Sequence, residues 1–301
     1  MGAQASARRQ VKQLHTAVPK AQHMVVGHEL RRLREAQGLS QQDAAQQLGI
    51  SKYVLLRNEK GETPCRREAV LRALRLYRAT PEEAAHLLEV LEHANRRRWW
   101  QDSEWRGVVK KKLHTLVTLE EGASLIRVCD RDRVPGLLQA AGYATAVVRM
   151  GMPGAPQGDI DKRVKFRLER QARFLEAKTR YLCLLDEVTL IRGYGTRETM
   201  KGQLDHLIKL SQKQHITLRI VELSRLNVPT IGQTILFDFE QASLPTVLYE
   251  DRDEGGLVCQ EPDDVDARAK RFDRLLQSSL STKHSEQRLC ELRRKLDRPP
   301  G

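Results

Sequence analysis

Residues 39–61, LSQQDAAQQLGISKYVLLRNEKG, read as one helix cut in two. From Gln41 to Leu48 small and apolar residues recur at helical spacing. Gly49 interrupts the run, and Ser51 opens a second helix that runs to Lys60. Glycine takes positive φ without steric cost, so Gly49 suits a sharp turn after Leu48. Ser40 and Ser51 each precede a helical run and can accept a bond from an unpaired backbone N–H. Ala44, Ala45, Leu48, Ile50 and Leu55 are the positions that face inward when two short helices cross. A larger side chain at Ala45 would push the second helix away. The pattern predicts a helix-turn-helix, a unit that lays its second helix in the DNA major groove. The alternative is an ordinary corner between two helices. The joint spacing of Gln41, Ala45, Gly49, Ile50 and Leu55 argues against it.

The flanks extend this unit. Val26, Leu30 and Leu33 mark a supporting first helix ending at Gly38, and Val70, Leu71, Leu74 and Tyr77 mark a fourth beginning near Arg66. TPEE (80–83) is a capping box with proline at the first helical position, opening a fifth helix through Leu87, Leu88, Leu91 and Ala94. Five short helices, with LSQ before the second, LGIS across the turn and EKG closing the third, resemble the DNA-binding domain of XRE-type regulators, relatives of the phage repressors. Four residues depart from that family: Asn58 stands at a usually apolar position, and Tyr53, Val54 and Leu56 replace polar residues on the reading face. The resemblance implies that Arg34 and Glu59 form a structural ion pair tying helix one to helix three, with the guanidinium near the phosphates. With the third helix in the major groove, Lys52 and Tyr53 at its start and Arg57 one turn on reach furthest toward base edges. Gln41 and Gln42 would meet phosphate or an adjacent base, and Lys60, Arg66 and Arg67 would grip the backbone.

Charge fits this reading. Residues 1–100 carry 18 Lys and Arg against 10 Asp and Glu, a net +8 of the +13 on the 301-residue chain. A basic first third attracts phosphate, the main source of non-specific DNA affinity. The five cysteines (65, 129, 183, 259, 290) are scattered and form no C-x-x-C, which argues for reduced thiols and against a disulfide framework or zinc site. The first twenty residues lack an apolar segment of the secretory type, and apolar runs such as YLCLL (181–185) are too short to span a membrane. These features predict a cytoplasmic protein with no membrane partner.

Beyond the helical unit, NRRRWWQDSEWRGVVKKK (95–112) holds all three tryptophans between basic clusters. A stacking surface for nucleic acid or a membrane interface is one reading; Trp99, Trp100 and Trp105 packing between domains is the favoured one, given how much area such rings bury. From 113 onward helix and strand alternate. Helices are expected near 118–128, 139–149 and 159–178, another through Met200, Leu204, Leu207 and Ile208, and further ones from Pro262 and through Leu289, Leu292 and Leu296. Strands are expected at 181–186, 216–223, 233–240 and 245–251. VPGLLQAAGYATAVV (134–148) resembles part of a C-terminal domain of unknown function found in many actinomycete XRE-type regulators. WW (99–100), LEEGA (119–123), RLERQARFL (167–175), LLDEVTLIRGYG (184–195), MKGQLDHL (200–207), TVLYED and FDRLLQSSLS (272–281) stand in the expected order around it; IRGYG departs from the family's usual sequence. The resemblance covers about 25–296, and implies a transcriptional regulator often encoded beside a very small partner protein in an antitoxin-like pairing.

Enzyme chemistry finds little support. Asp186–Glu187 at a strand end reads as a turn or ion-pair partner, GYGTRET lacks a third glycine and a nucleotide-binding context, and YEDRDEGG (249–256) lacks calcium-loop spacing and reads as a solvated turn. His86 and His93 fit a helix surface better than a metal pair, and Gln171 beside Arg170 fits an internal hydrogen bond. The expectation is therefore a non-enzyme without catalytic residues, metal or cofactor. Its architecture is a mainly α N-terminal five-helix helix-turn-helix domain plus a C-terminal α+β domain. The segments are a flexible basic tail (1–23), the DNA-binding domain (24–97), a Trp-rich connector (98–112) and an effector- or partner-binding domain (113–296). The expected function is a sequence-specific transcriptional regulator, a homodimer on double-stranded DNA, whose C-terminal domain senses a ligand or binds a small partner protein encoded nearby. The alternative is an antitoxin-like adaptor that sequesters such a partner with weak or lost DNA readout.

Overall fold

The computed structural model describes residues 21–95, 98–109, 111–229, 231–240, 244–252 and 255–297. The tail expected over 1–23 lies outside them up to position 20, and from Ala21 the chain is helical. Contacts divide the chain into two compact units. The first takes in described residues up to Gln101 together with 113–122, Glu240 and Leu244. The second takes in the described residues of 102–112, 123–239 and 245–297.

Five helices build the first unit: α1 (Ala21–Ala36), α2 (Gln41–Leu48), α3 (Lys52–Glu59), α4 (Arg67–Leu76) and α5 (Pro81–Asn95). One apolar cluster holds them, with Val26, Leu30 and Leu33 from α1, Ala44 and Ala45 from α2, Leu55 from α3, Val70, Ala73 and Leu74 from α4 and Leu87 and Leu91 from α5. The α1–α3 approach is so close that a Cβ on Gly27 would lie 2.2 Å from the Asn58 carbonyl oxygen. Thr80 and Glu83 form the reciprocal cap of α5: the Glu83 N–H donates to Thr80 Oγ1 at 3.2 Å and the Thr80 N–H to Glu83 Oε2 at 2.9 Å. Glu83 also takes Arg32 of α1 at 2.7 Å.

A sixth helix, α6 (Lys111–Gly122), follows two short 3-10 turns at Trp99–Gln101 and Ser103–Trp105. Within the first unit Trp100 is buried, with Trp99 edge-on at 5.9 Å and His114 of α6 at 6.2 Å. The Trp99 indole N–H donates to Glu121 at 2.8 Å. Trp105 belongs to the second unit, packed edge-on against Phe166 at 5.1 Å.

The second unit is a six-stranded mixed sheet with helices. Its strands are β1 (Leu125–Asp130), β2 (Arg180–Asp186), β3 (Ile216–Val221), β4 (Thr234–Asp238), β5 (Val247–Arg252) and β6 (Gly255–Cys259), in the order β3-β2-β1-β4-β5-β6. β1, β2 and β3 run parallel; β4, β5 and β6 continue antiparallel. Parallel strands need long crossovers, supplied by α7 (Ala141–Met150) and α8 (Gln157–Ala177), then by α9 (Val188–Arg192) and α10 (Arg197–Ser211). Val265, Phe272 and Leu275 of α11 (Pro262–Ser278) pack into one cluster with Cys129, Leu184, Leu236 and Leu248 of the sheet. The closing helix, α12 (Thr282–Lys295), is capped by Ser281.

Two stretches differ from the sequence expectation. The helix expected over 118–128 ends at Gly122, and β1 begins at Leu125. Residues Ser124 and Arg127 are claimed by a distant segment: Ser124 N–H donates to the Asp238 carbonyl oxygen at 2.9 Å, and Arg127 makes a bidentate pair with the Asp238 carboxylate at 2.9 Å. YEDRDEGG (249–256), expected as a solvated turn, contributes instead to β5 and β6, which pair as far as Arg252 and Gly255. A strand of five residues opening on two glycines carries too little apolar alternation to be legible locally.

Candidate nucleic-acid interface

The turn between α2 and α3 is built as a helix-turn-helix. Ser40 Oγ accepts from Asp43 N–H at 3.1 Å and Ser51 Oγ from Val54 N–H at 3.2 Å, so both serines cap their helices. Gly49 sits at φ 68°, ψ 33°, the left-handed region, and its N–H bonds back to the carbonyls of α2. That geometry lets α3 leave at once in a new direction, with Leu55 buried and its neighbours Lys52, Tyr53 and Val54 exposed.

Beneath this surface lies a buried polar lock. Arg34 Nε donates to Glu59 Oε1 at 2.6 Å and Nη2 to Oε2 at 3.1 Å, while Nη1 donates to the Leu39 carbonyl at 2.7 Å. Gln41 Nε2 donates to Glu59 Oε2 at 3.0 Å, which brings α2 into the same lock. The two charged side chains are only 5% and 2% exposed, and the hydrogen bond to Glu59 pushes the guanidinium pKa further up. The guanidinium is thus an internal strut and not a phosphate contact, because it is buried and its N–H donors are taken by Glu59 and the Leu39 carbonyl. Tyr77 of the neighbouring turn is also buried, and its hydroxyl finds no hydrogen-bond partner among the described residues. Burial, with the nearby negative charge of Glu59, pushes its phenol up to about 12.

The expected contact residues separate into two groups. Gln42, Lys52, Tyr53, Lys60, Arg66 and Arg67 are exposed, with Tyr53 62% exposed. Arg67 pairs with Glu92 at 2.8 Å, an exposed ion pair worth about 0–1 kcal/mol and readily given up to a phosphate. Gln41 and Arg57 are occupied inside the unit. Gln41 holds Glu59, as above. Arg57 is half-buried, its guanidinium 5.6 Å from the Tyr53 ring centroid and its Nε 3.4 Å from Glu62. Asn58, polar where the resemblance expects an apolar residue, accepts the Thr63 hydroxyl at 2.6 Å and so closes the turn after α3. Val54, absent from the expected set, is 42% exposed beside Tyr53. Its position is legible in the helical period, because only Leu55 and Glu59 of α3 are buried.

In the second unit the acidic strand ends are all engaged. Asp186 takes Arg131 at 2.9 Å; Glu187 takes Arg288 and the Leu223 N–H. Asp130, whose carboxyl is raised by burial, accepts from the Asp132 N–H at 3.0 Å and from Gln233 at 2.9 Å. VPGLLQ forms a 3-10 turn at Gly136–Leu138. Its carbonyls are satisfied by amides from two helices: Gln171 donates to Gly136 at 2.7 Å and Gln139 at 2.9 Å, and Gln203 to Leu138 at 2.8 Å. Among the described residues no group of three or more His, Cys, Asp or Glu could hold a metal ion, and no helix is long and apolar enough to cross a membrane.

Comparison with known proteins agrees with this architecture. Residues 25–87 match the family model of a helix-turn-helix domain. No curated protein and no solved structure matches the chain. Residues 113–291, more than half of the chain, match the model described as a domain of unknown function, DUF5753. The chain therefore belongs to the family of proteins that carry this domain, here joined to an N-terminal helix-turn-helix.

Proposed function

We propose that this protein is a sequence-specific DNA-binding transcriptional regulator whose C-terminal domain senses a ligand or binds a small partner protein. One observation carries the reading most. α3 exposes its start beside Lys52, Lys60, Arg66 and Arg67, while Arg34, Glu59 and Gln41 lock α1, α2 and α3 together beneath it. A reading helix is useful only when rigidly held, and the cations fit phosphate on either side of a groove. Two copies would read half-sites about one helical turn apart, as helix-turn-helix dimers do.

The test is a gel shift on the promoter of the protein's own gene in rising salt, comparing the natural chain with Lys52→Ala. The reading requires tight binding that falls steeply with salt and a variant that discriminates less between promoter and scrambled duplex. Equal, weak binding to both duplexes by the natural chain would favour a second reading, an adaptor that sequesters a small partner. The exposed apolar pair Tyr53 and Val54 is the observation on its side.

A further inference from the structure

We infer that α3 reads thymine methyl groups: Tyr53 and Val54 lie against the C5-methyls of T·A pairs in the major groove. The inference rests on the DNA-binding reading above and narrows it to a class of sequence. Recognition of a base edge by hydrogen bonds needs a free, planar, two-pronged side chain, Arg for guanine or Asn and Gln for adenine. On and just before α3 these groups are turned toward the protein, while the exposed amide of Gln42 stands on α2. Arg57 lies over the Tyr53 ring and beside Glu62, Asn58 takes the Thr63 hydroxyl, and the Gln41 amide donates to Glu59. The Ser51 hydroxyl caps the helix.

What the helix start presents outward is an aromatic ring 62% exposed and an isopropyl group 42% exposed. Of the four bases only thymine offers an apolar group in the major groove, its C5-methyl. The Arg57 guanidinium lies over one face of the Tyr53 ring, 5.6 Å from its centroid, and leaves the rest of the ring open to solvent. A protein partner is the other occupant for an apolar face. The exposed cations Lys52, Lys60 and Arg66 around it favour a phosphate-rimmed groove instead.

The experiment first selects a preferred duplex from a random-sequence pool with the full chain, then remakes that duplex with uracil in place of thymine. Uracil pairs as thymine does and lacks only the methyl. Affinity should fall about four-fold for each contacted methyl, as expected for one CH2-sized apolar group returned to water. In Tyr53→Ala/Val54→Ala, whose fold is checked by circular dichroism, the thymine–uracil difference should vanish while the salt slope, set by phosphate contacts, stays the same. Selective binding with equal affinity for the two duplexes overturns the inference and leaves the DNA-binding reading standing. Absence of any selected duplex overturns both. A double variant that keeps the thymine–uracil difference but loses a co-purifying protein assigns the apolar face to that partner and overturns the inference as well.

Discussion

Arg34 and Glu59 show how one pair of residues sets the reading surface. Removing one partner of a buried, hydrogen-bonded pair leaves a charge without compensation, typically at a cost of about 3–5 kcal/mol. Arg34→Ala should lower the unfolding free energy by that order, read as a lower urea midpoint. Replacing both residues by apolar ones should cost far less, because no charge is then left unpaired. Tyr77 offers a cleaner test with a pH signature. Its phenol ionises near its ordinary value in the unfolded chain but only at about 12 when folded. Between pH 10 and 12 the folded state binds the proton that the unfolded state has released, so stability falls as pH rises through this window. The shift corresponds to on the order of 3 kcal/mol. Tyr77→Phe should flatten that alkaline limb relative to the natural chain. At pH 7 it should cost little, since the lost hydroxyl has no hydrogen-bond partner among the described residues. A marked loss of stability at pH 7 would contradict this account.

At the scale of elements, the decisive feature is what fills the gap between helices. VPGLLQ is neither strand nor α-helix, yet Leu137 and Leu138 are buried and its carbonyls are met by Gln171 of α8 and Gln203 of α10. Leu137→Ala should therefore cost about 2–5 kcal/mol, the range for truncating a buried leucine, read as a lower melting temperature. Unchanged stability with loss of ligand or partner binding would instead make the segment a contact surface. How much of these elements the sequence announces varies with their partners. α2, α3 and the capping box of α5 are legible because their signals are local: a glycine, three hydroxyls and a helical period. β1 is not, because Arg127 and Ser124 find their partners at Asp238, more than a hundred residues on. Read alone, Leu125–Asp130 mixes one arginine and one aspartate into a short apolar run.

Across the whole molecule, charge is divided unevenly, net +8 on residues 1–100 and net +5 on the remaining two thirds. DNA affinity should depend on salt accordingly, with each phosphate contact adding about 0.9 to the slope of log K against log salt. Arg66→Ala should lower that slope by about one and weaken cognate and scrambled duplexes alike. A selective loss on the cognate duplex would move Arg66 from the backbone to a base edge. Arg57→Ala has a different expected outcome from the one its position alone predicts. Its guanidinium already holds Tyr53 and Glu62, so its removal should loosen the ring rather than delete a base contact.

By itself the amino-acid sequence determined the helix-turn-helix, its caps and its cationic rim, since each follows from residues within a few positions of one another. It also carried the Arg34–Glu59 pairing, through resemblance. Only the tertiary structure decided which of the expected contact residues face outward. Gln41 and Arg57 sit at the right spacing for DNA, but Glu59 and Glu62 take them up once the helices pack. The strand order of the second unit was likewise decided by non-local pairing, with β4 joining β1 from the far side of the chain's earlier strands. A short-range pattern states what a segment can form; which donors remain free is a property of the packed whole, because every buried charge must first find its partner.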